Sequence, residues 1–271
     1  MVLPRSSSAV TSNSSDQFNW VCSMSGFGFD SKNNDFKVVK IFLRLWERVT
    51  PLVEIYSLAT AKWRSSISTG SRSGPSICSC LHGLTRDQIF INGSLHWLVC
   101  GCCNGLQRRK FILSFDLAGE TFGELMMLPA CLNPLASCHR LSLLMTGTNN
   151  SSLVLVHEKE VRWSHNNVFD IWVMREYGNV DSWNLIFSFD SSRLYNGEIS
   201  RVIAMRSSGE LVLQTYGNQT ILLDPNKDSV VRCLGLEEYN VRFAGDYMEA
   251  LSLINEENCT PFISSVIRTA G

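Results

Sequence analysis

The sequence predicts an all-β fold of the β-propeller type, with about four recognisable four-stranded blades plus a partial one, in a ring that is either closed or incomplete. Three observations lead to this prediction. One hairpin pattern recurs four times along the chain, an earlier hairpin precedes each copy, and helical periodicity is nearly absent.

The recurring hairpin joins two short apolar strands through a polar turn. Its copies are VEIYSLATAKW at 53–63, ILSFDLAGETF at 112–122, DIWVMREYGNVDSW at 170–183 and ILLDPNKDSVV at 221–231. The anchoring residues Tyr56, Phe115, Trp172 and Leu223 are 59, 57 and 51 residues apart. Periods of this size are typical of propeller blades.

The earlier hairpins share the same grammar of strand, turn and strand. In the first, the strand GFGFD (26–30) is joined through a turn at 32–35 to a strand at 36–45, and in the second, QIFI (88–91) is joined through Asn92-Gly93 to a strand at 94–100. In the third, LSLLM (141–145) is joined through a turn at 147–150 to a strand at 152–158. In the fourth, RVIAM (201–205) is joined through Ser208-Gly209 to a strand at 210–216. Asn-Gly between apolar runs is the strongest short hairpin signal. Two hairpins per unit give four strands, and FGELMML (122–128) fits the repeat as a strand.

Radial stacking explains why such units repeat. One small twisted sheet cannot bury both of its faces, whereas stacked blades bury them and leave only short edges. A β-sandwich also has many short strands, but it gives no reason for the repeat.

The repeat predicts a propeller domain at 21–255, after a disordered lead-in at 1–20 and before a C-terminal tail at 256–271. The segment 241–254 is predicted to supply one or two strands of the partial blade. Linkers are predicted at 64–76, 129–140 and 184–198.

The composition argues against several classes of function. Lys and Arg number 24 against 25 Asp and Glu, so the chain lacks the broad basic surface that nucleic-acid binding needs. The one basic cluster, 108–110, is predicted to be a solvated strand entrance. No apolar run is long enough to span a membrane, and the N-terminus has no signal-peptide pattern. We therefore expect a cytoplasmic and/or nuclear protein whose ten cysteines stay reduced.

Five motifs occur in a fixed order: GFGFDSKNNDFKVVKIF, INGSLHWL, ILSFDLAGETF, DIWVMREYGNVDSW and YMEALSLI. In this order the chain resembles, over roughly residues 22–255, the kelch-like F-box-associated domain of plant F-box proteins. The resemblance implies a domain that binds a target protein for ubiquitination, as the substrate-recognition part of an SCF-type ligase. The family usually begins with an F-box, and none precedes GFGFD here. A Skp-type adaptor and a cullin are therefore expected as partners only if an F-box is supplied elsewhere.

His96 lies in the repeated stretch INGSLHWLVC (91–100). Strand alternation places His96 and Trp97 on opposite faces. A general base needs a partner within hydrogen-bond reach, and no carboxylate or cysteine motif of known spacing includes His96. We expect it to face a neighbouring blade or loop and to take no part in catalysis.

Zinc binding is considered and not favoured. The candidate ligands are Cys78, Cys80, Cys100, Cys102, Cys103, Cys131, Cys138 and His139. Zinc sites favour two to four residues between paired cysteines, whereas the close pairs here have one residue or none between them. Reduced structural thiols are expected.

No residue is assigned to catalysis, to a cofactor or to a metal. The chain lacks a G-x-S-x-G elbow and a phosphate-binding glycine loop, and HEKEV (157–161) lacks the second His of a metalloprotease. The carboxylates Asp30, Asp35, Asp181 and Asp190 stand in turns, where they are expected to cap the backbone.

The tryptophans divide into two groups. Trp63, Trp172 and Trp183 recur at equivalent repeat positions and are expected in blade cores. Any aromatic residue of the binding face is sought among Trp46, Trp97 and Trp163 and the loops near 64–76, 101–108 and 129–139, because loops carry recognition on rigid scaffolds.

The sequence therefore predicts a non-catalytic protein-interaction module without a cofactor. Two alternatives stay open. One is a propeller hydrolase with its site in the central channel, which would need convergent carboxylates or a metal. The other is a truncated decoy that binds the target without the adaptor.

Overall fold

The computed structural model describes residues 4, 20–44, 52–67, 82–83, 88–103, 107–123, 126–129, 132, 140–146, 151–160, 167–194, 199–227 and 229–233. These residues form four small antiparallel sheets and no α-helix. The sheets are arranged as a four-bladed β-propeller, which confirms the predicted fold class. The segment predicted to form a partial blade, 241–254, lies outside the described residues.

Each blade is built from one contiguous stretch of chain. Blade 1 contains β1 (Trp20–Asp30), β2 (Asp35–Arg44), β3 (Leu52–Ser57) and β4 (Lys62–Ile67). Blade 2 contains β5 (His82–Gly83), β6 (Ile89–Ile91), β7 (Ser94–Cys103), β8 (Gln107–Asp116), β9 (Thr121–Phe122) and β10 (Met126–Met127). Since β5 and β6 both pair with β7, and β9 and β10 both pair with β8, this blade also has four strand positions.

The other two blades follow the same order. Blade 3 contains β11 (Arg140–Met145), β12 (Leu153–Glu160), β13 (Asn167–Met174) and β14 (Trp183–Asp190). Blade 4 contains β15 (Ile199–Met205), β16 (Leu211–Thr215), β17 (Thr220–Asp224) and β18 (Ser229–Cys233). The helices in the described ranges are two 3-10 turns of three residues, Val180–Ser182 and Ser191–Arg193, and neither could cross a membrane.

Tight turns form where the sequence supplies residues that tolerate a positive φ. Asn92 and Gly93 join β6 to β7 with φ values of 51° and 73°. The twist of such a two-residue turn matches that of the flanking strands. The earlier hairpins predicted from the sequence are all present, as β1–β2, β6–β7, β11–β12 and β15–β16.

The predicted linker at 184–198 is wrong for residues 184–190, which belong to β14. Trp172 pairs with Leu185 and Ile171 pairs with Phe187, so Ile186 is an extra residue in the outer strand. Such a bulge breaks the in–out alternation by which a strand is recognised in a sequence.

Apolar side chains fill three seams between consecutive blades. The first seam joins blades 1 and 2 through Val39, Ile41, Val53, Ile55, Leu95, Trp97, Leu113 and Phe115. The second joins blades 2 and 3 through Ile89, Leu98, Ile112, Leu143, Leu155 and Trp183. The third joins blades 3 and 4 through Val156, Phe169, Ile171, Val202, Leu213 and Leu223.

The repeat anchors lie on equivalent blade faces. Phe115 packs in the first seam, Trp172 borders the second and Leu223 packs in the third, so each faces the preceding blade. In blade 1, Ile55 points into the first seam, toward blade 2. The adjacent residue Tyr56 therefore lies on the opposite face of β3, the face turned away from blade 2, which is equivalent to the faces of the other three anchors. Across the β3–β4 hairpin the rings of Tyr56 and Trp63 pack with their centroids 5.2 Å apart.

Two glycines let β1 approach blade 2. A Cβ on Gly28 would lie 2.5 Å from Phe90 Cδ2 and 2.7 Å from Leu117 Cδ1. A Cβ on Gly26 would lie 2.9 Å from Leu95 Cδ1 and 3.0 Å from the Trp97 ring. The two glycines of the motif GFGFD are therefore needed where the backbone of blade 1 packs directly against the side chains of blade 2.

We expect Gly28→Ala to destabilise the domain by about 1–3 kcal/mol, because the added methyl group overpacks the first seam. Gly217→Ala is the matched control, since its Cβ would meet nothing closer than 3.7 Å. Urea unfolding followed by tryptophan fluorescence measures both variants. Equal stability of the two variants would show that the seam relaxes around the methyl group.

Candidate functional site

Two turns of each blade, the one between its first and second strands and the one between its third and fourth strands, lie at one end of the propeller, named here the turn end. In an antiparallel meander the first and third turns of a blade fall on the same side. Lys37, beside the β1–β2 turn, reaches the β8–β9 turn, and His96, beside the β6–β7 turn, reaches the β13–β14 turn. Val173 and Met205, beside turns of blades 3 and 4, pack on one apolar cluster.

The described residues that border the loops predicted to carry the binding face lie at the opposite end. At that end β4 finishes at Ile67 and β7 finishes at Cys103. Three parts of these segments are strands and not loops: residues 64–67 belong to β4, 101–103 to β7 and 107–108 to β8. Residues 68–76, 104–106 and nearly all of 129–139 lie outside the described residues, as do Trp46 and Trp163. Their part in binding stays a prediction.

A buried ion cluster joins the turns of blades 1 and 2. Lys37 Nζ lies 2.6 Å from Asp30 Oδ2 and 2.8 Å from Glu120 Oε1, and it donates to the carbonyl oxygen of Leu117 at 2.7 Å. Lys37 is 3% exposed and Asp30 is 1% exposed. Arg64 also pairs with Glu120 at the surface. Two carboxylates and a carbonyl thus replace the water that the buried ammonium has lost.

Asp30 also organises its own turn. Its Oδ1 accepts from the backbone N–H groups of Lys32 at 3.0 Å and Asn33 at 3.2 Å. Burial acts to raise the pKa of Asp30, but the hydrogen bonds from Lys37 and Asn33 outweigh it and lower the pKa to about 2. The carboxylate is therefore ionised at neutral pH.

Backbone capping by the turn carboxylates is confirmed at three of the predicted positions. Besides Asp30, the Oδ1 atom of Asp35 accepts from the N–H of Ala59 at 2.8 Å, and that of Asp190 accepts from the N–H of Ser192 at 2.9 Å. Sequence reasoning missed the second role of Asp30, its buried ion pair with Lys37, because the other carboxylate of the cluster, Glu120, is brought to Lys37 only by the packing of blade 2.

His96 ties blade 2 to blade 3. It is fully buried, and its Nε2 lies 2.7 Å from the hydroxyl of Tyr177, with the two rings edge to face at 5.6 Å. Burial lowers the pKa of His96 to about 4, against smaller opposing effects of hydrogen bonds with the backbone of Ile89 and Ser94. The ring is thus neutral at pH 7. The expectation that His96 faces a neighbouring blade or loop is confirmed.

Tyr177 lies on the longest turn between the outer strands of a blade. The β13–β14 turn spans residues 175–182, whereas its counterparts in the other blades span 58–61, 117–120 and 225–228. Burial of the hydroxyl raises the pKa of Tyr177, and the charge of Asp116 adds to this effect against a hydrogen bond with Ser94. The hydroxyl therefore stays protonated, and the residue remains 43% exposed.

Hydrogen bonds within the β13–β14 turn fix its shape. The hydroxyl of Ser182 accepts from the N–H of Glu176 at 3.0 Å and donates to the carbonyl of Asn179 at 2.6 Å. The side chain of Asn179 accepts from the N–H of Asp181 at 3.1 Å and donates to Glu176 Oε2 at 2.8 Å. A turn held in this way presents Glu176, Tyr177 and Asp181 in a fixed arrangement.

Blade 3 holds a set of side chains with the composition of a hydrolytic triad. Asp170 accepts from the Ser188 hydroxyl at 2.8 Å, and its other oxygen lies 3.6 Å from His157 Nδ1 and 2.5 Å from Lys159 Nζ. In a hydrolytic triad the imidazole lies between the hydroxyl and the carboxylate. Here the carboxylate lies between the other two groups, so the set is arranged as an ion cluster that satisfies a buried charge.

The sequence placed Trp97 among candidates for the binding face, and the structure corrects this. Trp97 is fully buried in the first seam, where its Nε1 donates to the carbonyl of Ser25 at 2.9 Å. Gly26 leaves room for the indole ring on blade 1. The core role predicted for Trp183 is confirmed, whereas Trp63 and Trp172 are half-buried at blade faces.

The zinc candidates are only partly covered by the structure. Cys100, Cys102 and Cys103 are backbone members of β7, and the other candidate ligands lie outside the described residues. Among the basic residues 108–110, all three belong to β8, as the predicted strand entrance requires.

We expect Lys37→Met to cost about 3–5 kcal/mol of unfolding free energy, because it leaves the buried Asp30 carboxylate without its cation. The double variant Asp30→Asn/Lys37→Met should recover part of this loss. Lys62→Met, at an exposed position beside the same turns, is the control and should change stability by less than about 0.5 kcal/mol. Urea unfolding measures all three, and a loss from Lys37→Met no larger than the control's would contradict the role of the cluster.

His96 predicts a pH dependence of stability. Its pKa is about 4 in the folded protein and 6.5 as an ordinary histidine, so between these values the unfolded chain binds the extra proton. Stability should therefore fall as the pH falls from about 6.5 to 4. The variant His96→Gln should flatten this part of the profile, as urea unfolding across the range would reveal. An unchanged slope would mean that His96 titrates alike in both states.

Comparison with known proteins places these features in a family. The model of the F-box associated beta propeller domain matches residues 9–266. An F-box/kelch-repeat protein of Arabidopsis thaliana is 31% identical over 60% of this chain and 39% of its own length. A putative F-box protein of the same plant is 36% identical over 37% of this chain and 20% of its own length. The matched region thus spans about two fifths or less of these relatives.

Solved structures give a weaker likeness. An alpha-L-arabinanase of Penicillium chrysogenum complexed with arabinobiose is 7% identical, with a TM-score of 0.44 over 78% of this chain and 64% of that one. A likeness at this level supports no inference about chemistry. The family match covers nearly the whole chain, in keeping with the four blades, and the chain belongs to the F-box associated beta propeller domain family.

Proposed function

We propose that this domain recognises a target protein as the substrate-binding part of an SCF-type ubiquitin ligase. The observation that carries the proposal is membership of the F-box associated family, together with relatives that are F-box proteins. In this role the domain is a non-catalytic binding module in the cytoplasm and/or nucleus, without a cofactor.

The construction of the turn end supports a binding role. The Lys37 cluster joins the turns of blades 1 and 2, and the contact between His96 and Tyr177 joins those of blades 2 and 3. Side chains on rigidly connected turns lose little conformational freedom when a partner binds. The turn end therefore offers a preorganised surface.

The link to the ligase is proposed to come from an F-box. The relatives are named F-box proteins and are longer than the region this chain matches. We propose that a Skp-type adaptor and a cullin are reached through an F-box supplied elsewhere, while the propeller holds the target. A chain acting without one would be a decoy.

A capture experiment tests this proposal. The purified chain and the same chain fused to an F-box are each used as bait in plant extract, and the retained proteins are identified by mass spectrometry. We expect both baits to enrich one protein in near-stoichiometric amount, and only the fusion to retain the adaptor and the cullin and to raise ubiquitination of that protein.

Other outcomes separate the alternatives. If the unfused chain retains the adaptor, the proposed need for a separate F-box is wrong. If both baits capture the same protein but the fusion does not promote its ubiquitination, the chain is a decoy. If neither bait enriches any protein, target recognition is contradicted.

A further inference from the structure

The β13–β14 turn and the adjacent end of β8 form a charged surface over the second seam. Its members are Asp116, Glu176, Tyr177 and Asp181, here named the acidic turn surface. Asp116 pairs with Ser94 between β7 and β8, two residues from the His96 ring that contacts the Tyr177 hydroxyl at 2.7 Å. Its charge also acts to raise the pKa of Tyr177. Glu176 and Asp181 are exposed on the same turn, on either side of Tyr177 in the chain.

The cations among the described residues do not neutralise the acidic turn surface. Arg175 is exposed at the start of the turn and supplies one positive charge against three carboxylates. His96, which contacts Tyr177 from below, is neutral because burial lowers its pKa to about 4. Glu120 on the neighbouring turn does not add to the surface, since Lys37 and Arg64 already bind it.

Apart from Arg175, the exposed cations at the turn end that the structure describes lie on the flanking blades. Lys32 and Lys62 are exposed on blade 1. On blade 4, Arg206 pairs with Glu210 at 2.9 Å and Lys227 pairs with Asp224 at 3.1 Å. The turn end is therefore negative in the middle, over blades 2 and 3, although the whole chain has a net charge of −1.

We propose that the acidic turn surface is where the target docks, through a Lys- or Arg-containing segment. This inference rests on the proposed function and specifies the chemistry of the partner. An Arg or Lys can lie over the ring of Tyr177, where the π face attracts a cation, while its neighbours pair with the carboxylates. Tyrosine is among the residues that most often dominate binding energy at interfaces.

The fixed geometry of the turn strengthens the inference. The hydrogen bond to His96 holds Tyr177 before any partner arrives. Asn179 and Ser182 hold the side chain and backbone of Glu176, and Asn179 also holds the backbone of Asp181. The β13–β14 turn is the longest of its class in the described blades, and a turn of two to four residues would close the strands equally well. The extra residues therefore build a surface that the fold itself does not need.

A peptide selection tests the proposal without extract or adaptor. Random phage-displayed peptides are selected on the purified full chain, on Glu176→Lys/Asp181→Lys, and on the control Glu210→Lys. The control makes the same kind of charge reversal on a turn of blade 4. We expect Lys- and Arg-containing peptides to be enriched on the wild type and the control, and to be lost on the double variant.

Titration of one selected peptide gives the magnitude. The charge reversal should weaken binding about tenfold, because two exposed ion pairs are replaced by repulsion. Binding to the wild type should weaken as salt rises, since the Debye length falls to about 8 Å at physiological ionic strength. If the reversed variant does not fold, Glu176→Gln/Asp181→Asn should show a smaller loss in the same direction.

The proposal is overturned if no peptide is enriched, if the enriched peptides show no basic bias, or if the bias survives charge reversal at residues 176 and 181. Its failure is distinguishable from failure of the proposed function. A target captured and ubiquitinated in extract, with no basic bias in the selection, removes the docking surface and leaves the ligase role. If basic peptides bind the acidic turn surface but no target is captured from extract, the docking surface remains and the ligase role is contradicted.

Discussion

A sheet of four short strands cannot cover both of its own faces, and the architecture of this chain follows from that constraint. Leu95, Trp97 and Phe115 on one face of blade 2 are buried only because blade 1 covers them. Leu98 and Ile112 on the other face are buried by blade 3. Burying one such side chain contributes about 1.5–3 kcal/mol, so each seam outweighs any single polar contact. The bare backbone at Gly26 and Gly28 serves this packing, because it lets blade 1 lie directly on the large side chains of blade 2.

Apolar packing alone does not fix how far one blade is shifted along its neighbour in the strand direction, since apolar contacts are not directional. The polar contacts at the turn end are directional, and they fix this shift. The ammonium of Lys37 has one position that satisfies Asp30, Glu120 and the Leu117 carbonyl together. The hydroxyl of Tyr177 meets the buried His96 ring in the same way one seam further on. Both contacts lie beside turns, so they align the turns of successive blades and form the surface on which the proposed target would dock.

Much of the fold could be predicted from the sequence, because its signals are local. Asn92 and Gly93 specify a turn by their own conformational preferences, and the anchors Tyr56, Phe115 and Trp172 mark the repeat by spacing. The ties between blades could not be predicted, since their partners are distant in the chain: 81 residues separate His96 from Tyr177, and 83 separate Lys37 from Glu120.

The predictions that were wrong, for Trp97 and for residues 184–190, also failed because they depended on contacts or irregularities that local sequence signals do not show. Trp97 has an irregular place in the repeat, because its size is matched to a glycine on another blade, and the sequence gives no sign of that match. The bulge at Ile186 breaks the alternation of inward and outward side chains, so β14 was not recognised as a strand from the sequence. The acidic turn surface also needed the fold, since Asp116 and Tyr177 belong to different blades. Only the length of the hairpin motif at 170–183, which exceeds that of its three counterparts, was visible in the sequence.

The contiguous origin of each blade has a consequence for how the chain reaches its structure. Every blade is complete within one stretch of sequence, and the seams described join blades that are consecutive in the chain. Pairing partners are therefore near one another along the chain, which favours rapid formation of each sheet. During synthesis blade 1 can form first and offer its seam face to blade 2 as that blade leaves the ribosome, and the later blades can add in turn. On this route each new blade buries the face that its predecessor has exposed, so translation order limits how long apolar surface stays open to aggregation.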